Sequence, residues 1–133
     1  MDLRILEIAS NTENNKILDK HTHKSKNRNP LCGDEMEISL LVKNNKVIDM
    51  GYQCKSCVYC QASVSLLSQN IRDKNLEEIK DLINTCEKLF ENTKIILEKK
   101  WIKFKEIFNK DNISRKECLL LPMKTVLKAL KIQ

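Results

Sequence analysis

The chain has 133 residues, of which 41% are apolar and 32% charged, and its formal net charge is +6. This composition excludes intrinsic disorder, and no apolar run approaches the roughly 20 residues of a transmembrane helix, so we expect no membrane partner. Gly and Pro occur only twice each, which argues against a loop-rich all-β fold. We expect one domain over residues 1–133 and, because the charged N-terminus is not a secretory signal, a cytoplasmic location.

The first half of the chain predicts a short helix followed by a hairpin. Apolar residues within 3–9 predict the helix, whereas the polar and basic stretch 21–30 predicts irregular chain. Apolar residues alternate at positions 36, 38, 40 and 42, which is typical of a half-buried strand. The turn residues Asn44 and Asn45 follow, and residues 47–52 then form the returning strand.

Beyond Cys57 the apolar pattern changes to the period of a helix. It predicts helices over residues 58–73, 76–90 and 95–108, and a last helix through residues 126–130 after Pro122. Cys86 lies on an apolar stripe and is expected in the core, as are Trp101, Phe104 and Phe108. The elements predict an α+β fold in which a small antiparallel β-sheet packs against several α-helices.

Six cysteines in a chain without an export signal indicate thiol chemistry, since disulfides are rare in a reducing cytosol. The first candidate site is the run Asn29-Pro30-Leu31-Cys32-Gly33-Asp34. Gly33 frees the backbone and places a thiol and a carboxylate two residues apart, so the two groups can share a metal ion. The alternative is a turn with a buried cysteine and a capping aspartate.

The second candidate site is the Cys-x-x-Cys-x-x-Cys run formed by Cys54, Cys57 and Cys60. Such runs are enriched among metal and iron–sulfur ligands, because thiolates select zinc and iron. The run lacks the Cys-Pro ligand of bacterial ferredoxins, which argues against a ferredoxin. It also lacks the βαβ setting of the thioredoxin-like redox motif. Cys57 and Cys60 share a helix face, so Cys60 either lies near the site or is a passive buried residue.

The third candidate site is Cys118, which follows Arg115 and Lys116. Two neighbouring cations favour a thiolate by Coulomb attraction. The alternative is a buried cysteine that begins the apolar run Leu119-Leu120-Leu121.

Together these three sites resemble the IscU/SufU/NifU family of iron–sulfur cluster assembly proteins. The resemblance rests on the Asn-Pro-x-Cys-Gly-Asp string at 29–34, on Cys57 before a Ser/Ala-rich helix, and on Arg115-x-x-Cys118. It covers the chain from about residue 20 to the C-terminus, with residues 1–20 as a divergent N-terminal helix and linker. Glu117 replaces the histidine of IscU-type members, the Leu-Pro-Pro-Val-Lys motif is missing, and the spacing from Cys57 to Cys118 is similar to that of the SufU-like branch.

The resemblance implies a site in which three loops converge at one end of a small antiparallel sheet. The four implied ligands of Zn²⁺, of iron or of a transient [2Fe–2S] cluster are Cys32, Asp34, Cys57 and Cys118. The implied function is iron–sulfur cluster assembly with sulfur accepted from a cysteine desulfurase, which would make the protein a sulfurtransferase. We expect Cys32 to be the sulfur acceptor, with Cys118 as the second candidate.

Two other functions remain open. One is a scaffold that assembles a labile [2Fe–2S] cluster and transfers it to apo iron–sulfur proteins without catalysis. The other is a structural zinc-binding interaction module. Nucleic acid is not an expected partner, because the chain has few aromatic residues and no recognised binding module. The excess of lysine then forms a solvated face, or steers docking to an acidic partner such as the desulfurase.

Overall fold

The computed structural model describes residues 3–92 and 94–131. Within these ranges the chain forms three strands and four α-helices, with two 3₁₀ segments before the last helix. Among the described residues, no helix is both long and apolar enough to cross a bilayer. In chain order the elements are α1 (Leu3–Ala9), β1 (His23–Arg28), β2 (Glu35–Lys43), β3 (Lys46–Lys55), α2 (Val58–Asn70), α3 (Leu76–Leu89), the 3₁₀ segments Lys99–Glu106 and Lys110–Arg115, and α4 (Lys116–Leu130).

The three strands form an antiparallel sheet in the order β1-β2-β3. The predicted hairpin is confirmed, and its turn residues Asn44 and Asn45 have φ angles of 53° and 63°. Asparagine tolerates this left-handed conformation, which a two-residue hairpin turn requires. Ile38 pairs with Tyr52 in the register that places the alternate apolar side chains of both strands on one face.

The helices cover this apolar face of the sheet. α4 packs on β1 and β2, α2 packs on α4 and β3, and α1 packs on α2. Burial of the shared apolar surface is what holds the layers together. The predicted α+β architecture, a small antiparallel sheet backed by helices in one small domain, is confirmed. Its core side chains include Met36, Ile38, Leu40, Met50, Leu67, Phe104 and Val126.

The prediction of irregular chain over residues 21–30 was wrong, because six of them form β1. The side chains of β1 are all polar, and they alternate between half-buried and exposed. β1 pairs through its backbone with β2, with Lys26 opposite Glu37, so no apolar alternation was needed to make it a strand. Strand propensity depends on context in this way at the edges of sheets.

The prediction of a helix over residues 95–108 was partly wrong. Only Lys99–Glu106 is helical, and it is a 3₁₀ helix. Trp101, Phe104 and Ile107 are buried at a spacing of three residues, which matches the three residues per turn of that helix. The prediction that Trp101, Phe104 and Phe108 belong to the core is confirmed.

The last helix begins earlier than the sequence predicted. α4 starts at Lys116, so Pro122 lies inside the helix and is buried there, rather than preceding it. Proline supplies no backbone N–H, and the carbonyl of Cys118, four residues earlier, therefore has no donor from position 122. Because α4 starts at Lys116, Cys118 lies in its first turn. The prediction that Cys118 lies in a loop was wrong.

Candidate metal centre

The loop between β1 and β2 closes tightly on itself. The N–H of Gly33 donates to the carbonyl of Asn29 at 2.8 Å, and the N–H of Asn29 donates to the carbonyl of Asp34 at 2.8 Å. The side chain of Asn29 also accepts from the N–H of Leu31 at 3.0 Å. Gly33 has φ of +77°, a left-handed conformation that favours glycine. The loop thereby presents Cys32 to solvent while it buries Asp34.

Cys32 and Asp34 meet the first turn of α4 at Cys118. One ligand atom from each of these three residues lies within 4.8 Å of the other two. Two thiolates on one tetrahedral zinc ion are about 3.8 Å apart, since each Zn–S bond is about 2.3 Å long. The three side chains are therefore close enough to share one metal ion.

The carboxylate of Asp34 fits a metal ligand in its own hydrogen bonding. Its Oδ1 accepts a hydrogen bond from the backbone N–H of Cys57 at 3.2 Å. Its Oδ2 is buried and has no hydrogen-bond partner among the described residues. Leaving such an oxygen unsatisfied costs about 1–3 kcal/mol, and a metal ion beside the two thiols would satisfy it.

Cys57, the fourth predicted ligand, is the N-cap residue of α2 and is half-buried. Its thiol lies outside the group of three that meet within 4.8 Å. It nevertheless interacts with Cys118: the pKa of the Cys118 thiol is raised to about 12, mainly by burial and also by a hydrogen bond with Cys57 and by its charge. Cys57 thus borders the site through both its backbone and its side chain.

The expectation that neighbouring cations favour the Cys118 thiolate was wrong. Burial raises the pKa of this thiol, and so do the charges of Cys57, Cys32 and Asp34. Arg115 instead lies over the ring of Tyr59, with its guanidinium carbon 5.0 Å from the ring centroid. The alternative for Cys118, a buried cysteine that begins an apolar run, describes its environment correctly.

The three cysteines not yet placed differ in burial: Cys54 is half-buried, whereas Cys60 and Cys86 are fully buried. Cys86 is fully buried in the core, as predicted, and its burial raises its pKa. Cys60 is also fully buried, and burial is the main cause of its raised pKa, although the charges of Asp34, Cys54 and Cys57 contribute. Cys32 is exposed, so the alternative of a buried cysteine in that turn is wrong.

Two contacts that sequence reasoning missed join α2 to α4 beside the site. One is the stacking of Arg115 on Tyr59. The other is a buried hydrogen bond of 2.5 Å from Ser63 Oγ to the carbonyl of Leu119. The small residues of the Ser/Ala-rich helix were the only signal for this close approach, and nothing in the sequence marked Tyr59.

The sequence is similar to known proteins of one family. Residues 2–105 match the family described as the NifU-like N-terminal domain. The chain is 33% identical over 132 residues to the iron–sulfur cluster assembly scaffold protein IscU of Thermotoga maritima. This alignment covers 96% of this chain and 89% of the relative. It is 36% identical over 50 residues to IscU 1 of Archaeoglobus fulgidus, an alignment that covers 38% of this chain and 33% of the relative.

Two solved structures share the fold. One is a putative iron–sulfur cluster assembly scaffold protein for the SUF system from Fervidobacterium islandicum AW-1, with a TM-score of 0.88 and 22% identity over 98% of this chain and 96% of that one. The other is the N-terminal part of a NifU-like protein from Brucella abortus, with a TM-score of 0.87 and 22% identity over 98% of this chain and 91% of that one.

Proposed function

We propose, since this chain belongs to the NifU-like N-terminal domain family, that it binds a metal ion at a Cys₃Asp site and accepts sulfur there for iron–sulfur cluster assembly. The observation that carries the proposal is the buried Oδ2 of Asp34, which lacks a partner among the described residues and belongs to the same cluster as two thiols. A donor set of three thiolates and one carboxylate suits zinc or iron.

We assign Cys32, Asp34 and Cys118 as ligands on their geometry, and Cys57 as the fourth. Cys57 already donates its backbone N–H to Asp34, and its side chain borders Cys118. Bound Zn²⁺ would supply charge that holds the thiols as thiolates, and a [2Fe–2S] cluster would occupy the same donors as cargo. One hard oxygen ligand among soft thiolates makes such a cluster easier to release.

Cys32 is the proposed sulfur acceptor, because its thiol is exposed whereas Cys118 is buried. In the transfer step the Cys32 thiolate attacks the terminal sulfur of a persulfide on the desulfurase cysteine. The S–S bond breaks, the desulfurase cysteine leaves as a thiolate, and Cys32 carries the sulfur as a persulfide. With a cysteine desulfurase as partner, the protein acts as a sulfurtransferase.

A second candidate is a scaffold that passes a labile [2Fe–2S] cluster to apo iron–sulfur proteins without catalysis. The similarity to a relative named as an IscU scaffold favours it. The exposure of Cys32 speaks against the third candidate, a structural zinc module, because structural zinc sites are closed. We also propose that residues 1–133 act as one domain in the cytoplasm, where the six free thiols would stay reduced.

Protein purified without air tests these functions by metal analysis and visible absorption. We expect either colourless protein that contains zinc or brown protein that contains a cluster. The molar ratio of metal to protein should fall when Asp34 or Cys118 is replaced by Ala. A desulfurase assay then compares Cys32→Ser with Cys86→Val, a core control. Loss of the protein persulfide in Cys32→Ser alone supports sulfur transfer, whereas an intact cluster without any persulfide supports the scaffold. Unaltered metal content in the Asp34 and Cys118 variants would contradict the shared site.

A further inference from the structure

A cleft of about 790 Å³ lies at the end of the sheet from which the Cys32 loop leaves. β2 turns Met36 and Ile38 into the core, so Glu35 and Glu37 lie on the face of the sheet opposite the helices. Their partners across the strands belong to the same face. The residues that line the cleft are Asn15, Lys26, Asn27, Arg28, Glu35, Met36, Glu37, Gln53, Cys54, Lys55 and Lys128.

The cleft carries an excess of positive charge. Four cations line it (Lys26, Arg28, Lys55 and Lys128), against the two carboxylates of Glu35 and Glu37. Glu37 is already neutralised by Lys24 and Lys26, each at 3.4 Å. The strand register places Arg28 and Lys55 on either side of Glu35.

Arg28 and Lys55 are both exposed, and neither forms an ion pair within 4.0 Å among the residues that the structure describes. Each cation is therefore able to pair with an incoming anion without first giving up a partner. Lys128 approaches from α4, where its Nζ donates to the carbonyl of Lys26 at 2.7 Å.

The position of the cleft relates it to the metal centre. The Nη2 atom of Arg28 lies 3.9 Å from the point that a Cβ on Gly33 would occupy, so the cleft adjoins the turn that carries Cys32. At Gly51 the same face of the sheet is covered by the segment around Lys16, whose carbonyl lies only 2.2 Å from where a Cβ on Gly51 would be. The cleft therefore lies on the same face as Gly51 and next to the turn that carries Cys32.

We propose that this cleft binds an acidic, extended segment of a partner protein and so brings the reactive group of that partner to Cys32. Cations distributed over β1, β3 and α4 fit a row of carboxylates better than one small anion. The lining residues include no aromatic side chain on which a nucleic acid base could stack. A second copy of this chain, which also carries a net charge of +6, would be repelled.

Binding is tested with a fluorescein-labelled peptide of alternating glutamate and serine, whose anisotropy is measured at low and high salt. The cleft variant is the double substitution R28E/K55E. The matched control is K99E/K103E, which makes the same change of charge at two exposed lysines outside the cleft. We expect the cleft variant to weaken binding at least about tenfold and the control less than about threefold, with affinity falling as salt rises.

Three results would overturn the proposal. Equal losses of peptide affinity in both variants would show that the peptide is attracted by the net charge of the protein and not by the cleft. No measurable binding at low salt would show that the cleft does not take acidic peptides. Stronger competition from an oligothymidylate than from the peptide, lost in R28E/K55E, would assign the cleft to nucleic acid.

The link to Cys32 rests on the proposed function, and a second measurement separates the two. R28E/K55E is expected to keep its zinc content, because neither substituted residue is a ligand. The alkylation rate of Cys32 is measured in each variant, and sulfur acceptance is divided by it, so that a change in the reactivity of the thiol is not counted as lost docking. The sulfur acceptance of R28E/K55E from a desulfurase should fall at least about fivefold relative to K99E/K103E. Equal acceptance in the two variants overturns the docking role, whereas peptide binding without any sulfur acceptance in the unmodified protein overturns the sulfur-transfer function alone.

Discussion

The backbone N–H of Cys57 donates a hydrogen bond to Oδ1 of Asp34 at 3.2 Å. This bond joins the loop after β1 to the N-terminus of α2. It leaves the second oxygen of the carboxylate, Oδ2, without a hydrogen-bond partner among the residues that the structure describes. Asp34 therefore connects two loops and, in the proposed function, holds the metal. The two roles belong to different oxygen atoms and can be separated by substitution.

Asp34→Asn should have opposite effects on stability and on metal binding. The amide keeps an acceptor for the N–H of Cys57 and removes a buried negative charge, which is costlier to bury than a neutral amide, so the metal-free protein should gain about 1 kcal/mol in unfolding free energy. Zinc affinity should fall at least about tenfold, because an anionic ligand is lost. Denaturant unfolding in a chelator and competition with a chromophoric chelator measure the two quantities.

Asp49→Asn is the control for that substitution. Asp49 pairs with Arg72 at 3.0 Å on a partly exposed surface, and such pairs contribute little to stability. Neither zinc affinity nor unfolding free energy should change by more than a few tenths of a kcal/mol. If Asp34→Asn behaves like this control in zinc affinity, Asp34 is not a ligand.

Tyr59→Leu should weaken zinc binding although Tyr59 is not a ligand. The ring supports Arg115, the residue before α4, and an exposed cation–π contact is worth about 0.5–1 kcal/mol. Loosening this contact frees the first turn of α4, so zinc affinity should fall about twofold to fivefold, as measured by chelator competition. Tyr59→Phe keeps the aromatic ring and should bind zinc as the unmodified protein does. Equal affinities for Leu and Phe variants would show that the ring does not position Cys118.

The two glycines should respond differently to alanine. A Cβ on Gly51 would lie 2.2 Å from the carbonyl of Lys16, a backbone atom that cannot move alone, so Gly51→Ala should cost about 3 kcal/mol of unfolding free energy. A Cβ on Gly33 meets nothing closer than 3.9 Å, and only the left-handed backbone opposes it, at about 1 kcal/mol. Urea unfolding of the metal-free variants measures both costs, and the reverse order would contradict the packing of residue 16 on the sheet.

Cys86→Val should flatten the loss of stability at high pH. Burial raises the pKa of Cys86 in the folded protein, whereas in the unfolded chain the thiol ionises near pH 9. Above that pH the unfolded state binds fewer protons than the folded state, so unfolding free energy falls by up to about 1.4 kcal/mol per pH unit for this thiol. Below pH 8 the group contributes no slope.

The measurement is urea unfolding at intervals from pH 7.5 to pH 10.5, in the presence of a chelator and a reductant. The difference in slope between Cys86→Val and the unmodified protein isolates Cys86, because other groups that ionise in this range, such as Tyr52, are common to both. Parallel curves would mean that the thiol is not held neutral by the core.

The hairpin could be predicted because its apolar alternation and its Asn-Asn turn are both local signals. β1 could not, since its side chains are polar and its order comes from backbone pairing with β2. The same distinction applies to the site. The turn around Cys32 and Asp34 could be predicted, because the residues that form it are neighbours in the sequence. The hydrogen bond from the N–H of Cys57 to Asp34 could not, because it joins residues that are far apart in the sequence.

The start of α4 was misplaced because a proline usually marks the beginning or the end of a helix. Here burial of the residues around Pro122 outweighs the missing hydrogen bond. Tyr59 was missed for another reason: stacking on Arg115 depends on how α2 and α4 are arranged, and no spacing along the chain reports that arrangement.

Pro122 has a further consequence for Cys118. Because the proline nitrogen carries no hydrogen, the turn that bears the buried thiol is joined to the rest of α4 by one bond fewer than in an ordinary helix. In the proposed function, a metal ion that draws Cys118 toward the loop of Cys32 and Asp34 would break no hydrogen bond from position 122 at that carbonyl. The C-terminal part of α4 is fixed by its buried side chains, whereas the turn that carries Cys118 can shift at that carbonyl without losing a hydrogen bond from position 122.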